Sequence, residues 1–504
     1  MDIFANLAIG LQTAFTLTNL LYCFVGVFLG TLIGVIPGIG ALAAISMLFP
    51  ISFHLEPTTA LILLAGIWYG TSFGGSTAAI LLNIPGTPSS AVTCLDGYPM
   101  ARQGRSGVAL VMTAIASFIG GTVGIALLMI FSPTIANYAL QFGSTEYFSL
   151  MLLGLVAAST ISDGSAAKGL AMVVLGIAFG TVGTDVYSGV PRFTFEALSL
   201  MDGISLVALA MGLFGVAEVM QTVGNVDTSS VNSKSITFRS MVPTKDDIKR
   251  SIMPIFRGTG VGSFFGTLPG TGPSIASFLS YALEKRVSRD PSRFGKGAIE
   301  GIAAPEAANN AADMTAFIPT LALGVPGSAT MAIMIGALMI HGITPGPSLM
   351  IDHPDIFWGL IMSFWIGNLL LILLNIPMVG LWVRLLLVPY RLLFPAVLMF
   401  ICIGTYSINN SAADVHMVLF FGALGFAMRY FSLPAAPLLL GFVLGPLMEE
   451  HFRRAMLLSR GDFLTFIERP ISGVVMGITA LMLLWAIWAS VSARSRVTAD
   501  ERIK

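Results

Sequence analysis

The sequence predicts an all-α polytopic membrane protein, built as two inverted-topology repeats with broken, re-entrant helices. Three observations lead there. The chain is 55% hydrophobic and only 10% charged, against roughly 25% charged in a soluble domain, and apolar runs long enough to cross a bilayer recur along it. Gly30, Gly34, Pro37, Gly38 and Gly40 return, each 232 residues later, as Gly262, Gly266, Pro269, Gly270 and Gly272. Basic residues flank the two copies in opposite senses.

Composition also excludes several classes of function. Lys plus Arg and Asp plus Glu both number 26, so there is no basic footprint for nucleic acid. Cys23, Cys94 and Cys402 are far apart, and the five histidines, at 54, 341, 353, 416 and 451, are scattered. No transition-metal site and no Ser/His or Cys/His nucleophile is legible, so no enzyme is expected. The first twenty residues hold no Lys or Arg, so the N-terminus is expected to stay on.

In chain order, the first broken element runs from about 21 to 53. Gly30 and Gly34 let another backbone approach, and Pro37-Gly38 ends the helix because Pro lacks the N–H and Gly admits the turn. An apolar segment with Gly66, Gly70, Gly74 and Gly75 fills 58–83, and Pro85-Gly86-Thr87-Pro88-Ser89-Ser90 closes it. After Arg102 and Arg105 come spans at about 107–131, 146–163, 168–187 and 203–224, completing a first repeat over 1–224. Residues 225–253 are polar and charged and read as a cytoplasmic linker.

The second repeat, 254–448, opens with the second broken element at 254–283, followed by Lys285, Arg286, Arg289, Arg293 and Lys296. An Ala-rich stretch carrying Glu306, Asn309 and Asn310 leads to Pro326-Gly327-Ser328. Spans at about 354–378, 390–408, 415–430 and 433–448 follow. Residues 449–504 form an amphipathic segment and a C-terminal transmembrane helix at about 472–492. Pro85-Gly86 recurs at an offset of 241, and Ser165-Ala166-Ala167 at 246 as Ser411-Ala412-Ala413, so the halves share a plan.

Lys and Arg collect in short cytoplasmic loops. They surround the second broken element, whereas residues 1–20 and 50–58 around the first have none. The loop after the second Pro-Gly shows the reverse: Arg102 and Arg105 in the first half, no Lys or Arg between 327 and 383 in the second. The same architecture is therefore expected upside down, with binding sites near the midplane where broken helices meet.

The motifs, taken in order, resemble the large membrane subunit of the tripartite tricarboxylate transporters over about residues 20–470. The resemblance rests on both Gly-Pro-Gly elements, Tyr69-Gly70-Thr71-Ser72-Phe73-Gly74-Gly75-Ser76, Pro85-Gly86-Thr87-Pro88, Leu95-Asp96-Gly97-Tyr98-Pro99, Phe294-Gly295-Lys296-Gly297, Pro305-Glu306-Ala307-Ala308-Asn309-Asn310 and Leu323-Gly324-Val325-Pro326-Gly327-Ser328. One departure is Gly40-Ala41, where the family's element continues as Gly-Pro, as Gly272-Pro273 does here. The resemblance implies a secondary active importer of organic carboxylates in the bacterial inner membrane, coupled to sodium or alternatively to protons. Its expected partners are a small integral membrane subunit, a periplasmic solute-binding protein, the organic anion, the lipid bilayer and a second copy in a homodimer. No organic cofactor is implied, the N-terminus is expected to be periplasmic and the C-terminus cytoplasmic. The alternatives are a passive anion channel and, with less support, an intramembrane enzyme.

A carboxylate at the midplane needs donors without several buried cations, and restarted helices supply free N–H groups. The substrate candidates are therefore Gly38, Gly40, Gly86, Thr87, Ser89, Ser90, Gly270, Thr271, Gly272, Ser274, Gly327, Ser328 and Thr330. The same hydroxyls would serve equally as local caps. Amide oxygens suit a hard cation, so Asn83, Asn309, Asn310 and Glu306 are the cation candidates, with interhelical hydrogen bonding as the other reading. Asp313, in the same segment, compensates sodium charge or carries protons, or faces water at a cavity mouth. Asp163, Asp185 and Glu218 read as helix-end caps.

Overall fold

A computed structural model describes residues 3–36, 40–161, 165–185, 187–222, 238–268, 272–385 and 390–501. Most are helical, and among them the one strand ladder joins Gly183–Thr184 to Pro191–Arg192. Four helices are long and apolar enough to cross a bilayer, in keeping with a polytopic membrane protein.

The first half contains α1 (Ile3–Ala14), α2 (Leu17–Val35), α3 (Ala41–Ser52) and α4 (Pro57–Leu82). A 3-10 turn, Pro88–Ser90, then leads into α5 (Ala91–Arg102), α6 (Ser106–Ala139), α7 (Ser144–Ile161) and α8 (Ala166–Gly180). Past the ladder, α9 (Leu206–Ala210), a π turn (Met211–Val216) and α10 (Ala217–Thr222) run on from one another. The second half contains α11 (Lys245–Gly266), α12 (Gly272–Val287), α13 (Glu300–Thr315), α14 (Phe317–Leu323), α15 (Ala329–Ile340) and α16 (Leu349–Asp352). It continues through α17 (Pro354–Asn375), α18 (Val379–Leu385), α19 (Tyr390–Asn409), α20 (Ala412–Tyr430) and α21 (Ala435–Leu458) to α22 (Thr465–Glu468) and α23 (Pro470–Glu501).

Glycine decides how the two broken elements pack. A methyl built on Gly26, Gly30 or Gly34 of α2 would overlap the backbone carbonyls of Leu63, Ile67 and Thr71 in α4. One built on Gly258, Gly262 or Gly266 of α11 would overlap those of Ala304, Ala308 and Ala312 in α13. The glycines are 232 apart and their partners 241 apart, so both halves use one backbone-to-backbone joint.

The turn that follows is repeated too. Asn83, ending α4, and Gly324, ending α14, are both left-handed, with φ of 58° and 70°. Gly86 lies against Gly34 and Gly75, and Gly327 lies against Gly266 and Ala316. The second copy of the long helix is split at Ala316 because Pro319 has no N–H for the carbonyl of Thr315.

The loops after α5 and α12 meet at one end, whereas Arg192, Arg453 and Arg469 pair with Glu449, Asp185 and Glu146 past the other end of α6. Arg105 pairs with Asp247 at 2.5 Å, and Gln103 Nε2 donates to the Lys296 carbonyl at 2.8 Å. The segments without Lys or Arg meet elsewhere, where Gly359 of α17 lies against Thr13 and Thr58, at the other end of α4 from Ile80 and Met100. Near the basic end Asp96 acts as a latch. Its Oδ1 accepts from the N–H groups of Gly297 and Ala298, both at 2.8 Å, and its Oδ2 accepts from the Tyr281 hydroxyl at 3.0 Å.

Several expected boundaries move. Residues 245–253, assigned to the linker, are the first turns of α11. Thr244 caps them, accepting from Asp247 N at 3.1 Å while Asp247 Oδ2 accepts from Thr244 N at 3.0 Å. The helix then runs through Pro254 without ending, so its charges lie on an amphipathic helix; 223–237 fall outside the described residues. The drawn boundary at 448 also falls inside a helix. Pairs four residues apart, Glu449 with Arg453 and Glu450 with Arg454, carry α21 on to Leu458.

The expected span at 168–187 stops at Gly180, and Asp185 belongs to the ladder's loop rather than to a helix cap. The Ser188 hydroxyl, aided by Arg453, holds the Asp185 carboxyl down at about 2. Glu218 pairs with Arg429, and Asp163 lies outside the described residues.

Two outcomes follow. Gly30→Val or Gly262→Val forces α2 from α4 or α11 from α13, and each should abolish the monodisperse peak of detergent-purified protein in size-exclusion chromatography. Asp96→Ala strands two buried N–H groups at about 1–3 kcal/mol each, and thermal unfolding should show a correspondingly lower midpoint than wild type, with Asp96→Asn in between.

Candidate functional site

Where α4 crosses α13 and α14, polar side chains meet inside an apolar protein. The Trp68 and Phe317 rings lie 5.3 Å apart, Ser72 Oγ donates to Asp313 Oδ2 at 2.7 Å, and Ser76 Oγ donates to Glu306 Oε1 at 2.7 Å. Numbers rise along one helix as they fall along the other, so the helices run antiparallel. Ser72 and Asp313 are 241 residues apart, the same separation that relates α4 to α13. Each occupies the other's position in the repeated sequence pattern.

Glu306 is fully buried. Oε1 accepts from Ser76 and Thr93, and Oε2 accepts from Ser117 at 3.3 Å and Asn309 Nδ2 at 3.4 Å. These donors come from α4, α5, α6 and α13 itself. Among the described residues no ion pair reaches Glu306 or Asp313. Hydroxyls and an amide therefore do the work that a lysine or arginine would do elsewhere.

Asn310 Nδ2 donates to Asn309 Oδ1 at 2.6 Å and to the Glu306 carbonyl at 3.0 Å. Nearby, Tyr69 OH donates to Asn368 Oδ1 at 2.7 Å, and Asn368 Nδ2 reaches Thr122 at 2.9 Å. A cavity of about 10 Å³ borders Ser76, Thr77, Thr113, Ser117 and Asn375. It therefore touches two of the hydroxyls that serve Glu306.

Of the cation candidates, Glu306, Asn309 and Asn310 form one hydrogen-bonded group. Asn83 takes no part in it; it is exposed, in the left-handed conformation that ends α4.

The substrate candidates fall into two sets related by the repeat. Gly86, Thr87, Ser89 and Ser90 are buried in the first turn, against which α12 packs. Gly272 and Ser274 open that helix, Gly272 with φ of 61°. Gly327, Ser328 and Thr330 form the counterpart turn at the start of α15, which packs against α3, the helix capped by Gly40.

Part of the hydroxyl set is used locally. Ser90 Oγ donates to the Thr87 carbonyl at 2.9 Å, Thr87 Oγ1 and Ser89 Oγ share a bond at 3.1 Å, and Ser328 Oγ accepts from Met331 N at 3.3 Å. Gly38, Gly270 and Thr271 lie outside the described residues.

Sequence reasoning passed over Ser72, Ser76, Thr93, Ser117, Tyr69 and Asn368. The offset of 241 already sets Ser72 opposite Asp313. Ser117 and Asn368 are polar residues within long apolar helices, which is a signal in itself.

An uncharacterized 52.8 kDa protein from the TAR-I ttuC' 3' region of Agrobacterium vitis is 49% identical over 502 residues, covering 99% of this chain and all of that protein. A second uncharacterized protein from that organism, from the TAR-II ttuC' 3' region, is 51% identical over 241 residues, 48% of this chain and all of its own length. No solved structure matches the chain. The model of the tripartite tricarboxylate transporter TctA family matches residues 20–440, and the chain belongs to that family.

Proposed function

We propose that the protein is the membrane-embedded translocating subunit of a cation-coupled importer of organic carboxylates, fed by a periplasmic solute-binding protein and completed by a small integral membrane subunit. Membership in a tripartite family supports the two partners. The observation that carries the coupling is the group at the α4–α13 crossing: two fully buried carboxylates with no basic partner among the described residues, beside amide oxygens. Ionisable groups held at such depth are functional by default, and a coupling cation is the counter-charge this group lacks.

The repeats are read as inverted, with the N-terminus periplasmic and the C-terminus cytoplasmic. Three features support this. Basic residues flank the two broken elements in opposite senses. Arg105, Asp247 and Lys296, from loops expected in the cytoplasm, meet at one end. The counterpart helices cross antiparallel at Ser72 and Asp313, as a two-fold axis in the membrane plane requires. The carboxylate is assigned to the N–H groups and hydroxyls of the four Pro-Gly turns, with Ser274 and Thr330 the hydroxyls of choice because Ser90 and Ser328 are engaged in capping and Thr87 and Ser89 bond to each other.

Purified protein reconstituted with its binding protein and small subunit should take up a carboxylate saturably, and only with an inward sodium gradient. Uptake that neither saturates nor responds to any cation gradient would favour the channel reading instead. Gly38→Ala and Gly270→Ala should each remove uptake by more than about tenfold while leaving membrane insertion unchanged on immunoblots of washed membranes; wild-type uptake by both would dismiss the turns as the site.

A further inference from the structure

The two carboxylates of α13 are solvated very differently. Glu306 accepts from Ser76, Thr93, Ser117 and Asn309, so both its oxygens are supplied with donors as an anion in water would be. Asp313 accepts from Ser72 alone, through Oδ2, and its Oδ1 has no partner. One turn back, Asn310 Oδ1 also has none. Both residues are fully buried, and residues three apart share one helix face.

Asn310 has no freedom to turn its amide over. Its Nδ2 faces two acceptors, Asn309 Oδ1 and the Glu306 carbonyl. A flipped amide would set oxygen against oxygen on both sides, so Oδ1 must face away from them. Asn309 is in turn held by its bond to Glu306. The fully solvated carboxylate therefore orients a chain that ends in one free amide oxygen, a turn from one free carboxylate oxygen.

Nearby donors are already in use. Tyr69, one turn before Ser72 on α4, gives its proton to Asn368, and Asn368 gives its own to Phe118 O and Thr122. The flanking basic residues in sequence are Lys296 and Arg384, and none of the ion pairs formed by Arg293, Arg257 or Arg250 includes Asp313. Buried acceptors of this kind are rare without a partner. Oxygen ligands of carboxylate and amide type, one of them charged, suit a hard monovalent cation, whose charge would also neutralise the aspartate in hydrocarbon.

Resting on the cation-coupled reading above, the geometry points to Asp313 Oδ1 and Asn310 Oδ1 as two ligands of a sodium site at the crossing of α4 and α13. Glu306 and Asn309 are then positioning residues that hold Asn310 rather than ligands. The charge sits between the helices that each broken element braces.

The test is thermal unfolding of the full-length protein in detergent, titrated with sodium chloride against choline chloride at neutral pH and constant ionic strength. Wild type should gain stability saturably with sodium. Asp313→Asn, nearly isosteric, and Asn310→Ala should keep a cooperative transition in choline yet need about tenfold more sodium or show no response. A wild-type sodium response in Asp313→Asn would overturn the site. So would a wild type stabilised by acid and not by sodium, with that effect lost in Asp313→Asn, because the group would then carry a proton. Sodium-driven uptake by wild-type vesicles separates the two levels: with it present and Asp313→Asn binding sodium normally, only this assignment fails, whereas its absence overturns the coupling reading as well.

Discussion

Four hydrogen bonds to one carboxylate hold the centre of this protein together. Glu306 draws Ser76 of α4, Thr93 of α5, Ser117 of α6 and Asn309 of α13 onto two oxygens. A buried carboxyl is tolerated only when hydrogen-bond partners replace its lost hydration, so these helices meet at that point. The apolar surfaces around them set no such register. Lipid is as apolar as leucine and gives helices little reason to prefer one neighbour over another. Polar satisfaction supplies the orientation, and close backbone packing supplies the contact.

That packing explains why these glycines recur in both halves. The joints of α2 with α4 and of α11 with α13 place carbonyl oxygens where a side chain would begin. A substitution there has no neighbouring rotamer to displace, since the obstacle is main chain. The residues opposite are free to differ: the first half supplies Leu63, Ile67 and Thr71 where the second supplies Ala304, Ala308 and Ala312, because only their carbonyls take part. Repetition of the motif thus records a backbone constraint, while the side chains around it are released to carry chemistry in one half and packing in the other.

Much of this was legible in the residues. The broken elements, the all-helical membrane class, the long apolar helices and the grouping of Glu306 with Asn309 and Asn310 follow from local pattern and spacing. What local pattern missed required three dimensions. Lys245 to Arg250 look like a solvated linker because their charges dominate any window, yet the Thr244–Asp247 cap and the apolar face beyond continue them into α11. Asn83 looks like an amide near a turn, but its role is conformational, since it adopts at φ of 58° what Gly324 adopts in the other half. Ser117 and Asn368 lie far from any motif and enter the polar centre only through tertiary packing.

The Ser72–Asp313 contact shows how a duplicated frame comes to hold an asymmetric centre. Counterpart residues that meet would, if identical, set like against like. Two aspartates at 2.7 Å could not both be ionised, because neighbouring carboxylates push one another toward the protonated form. Two serines would bond but carry no charge. One of each makes a donor–acceptor pair and leaves a single carboxylate at the contact. Repetition in the glycine joints and difference at this contact go together: the backbone repeats so that the broken elements brace both sides, and the side chains differ so that a donor meets an acceptor.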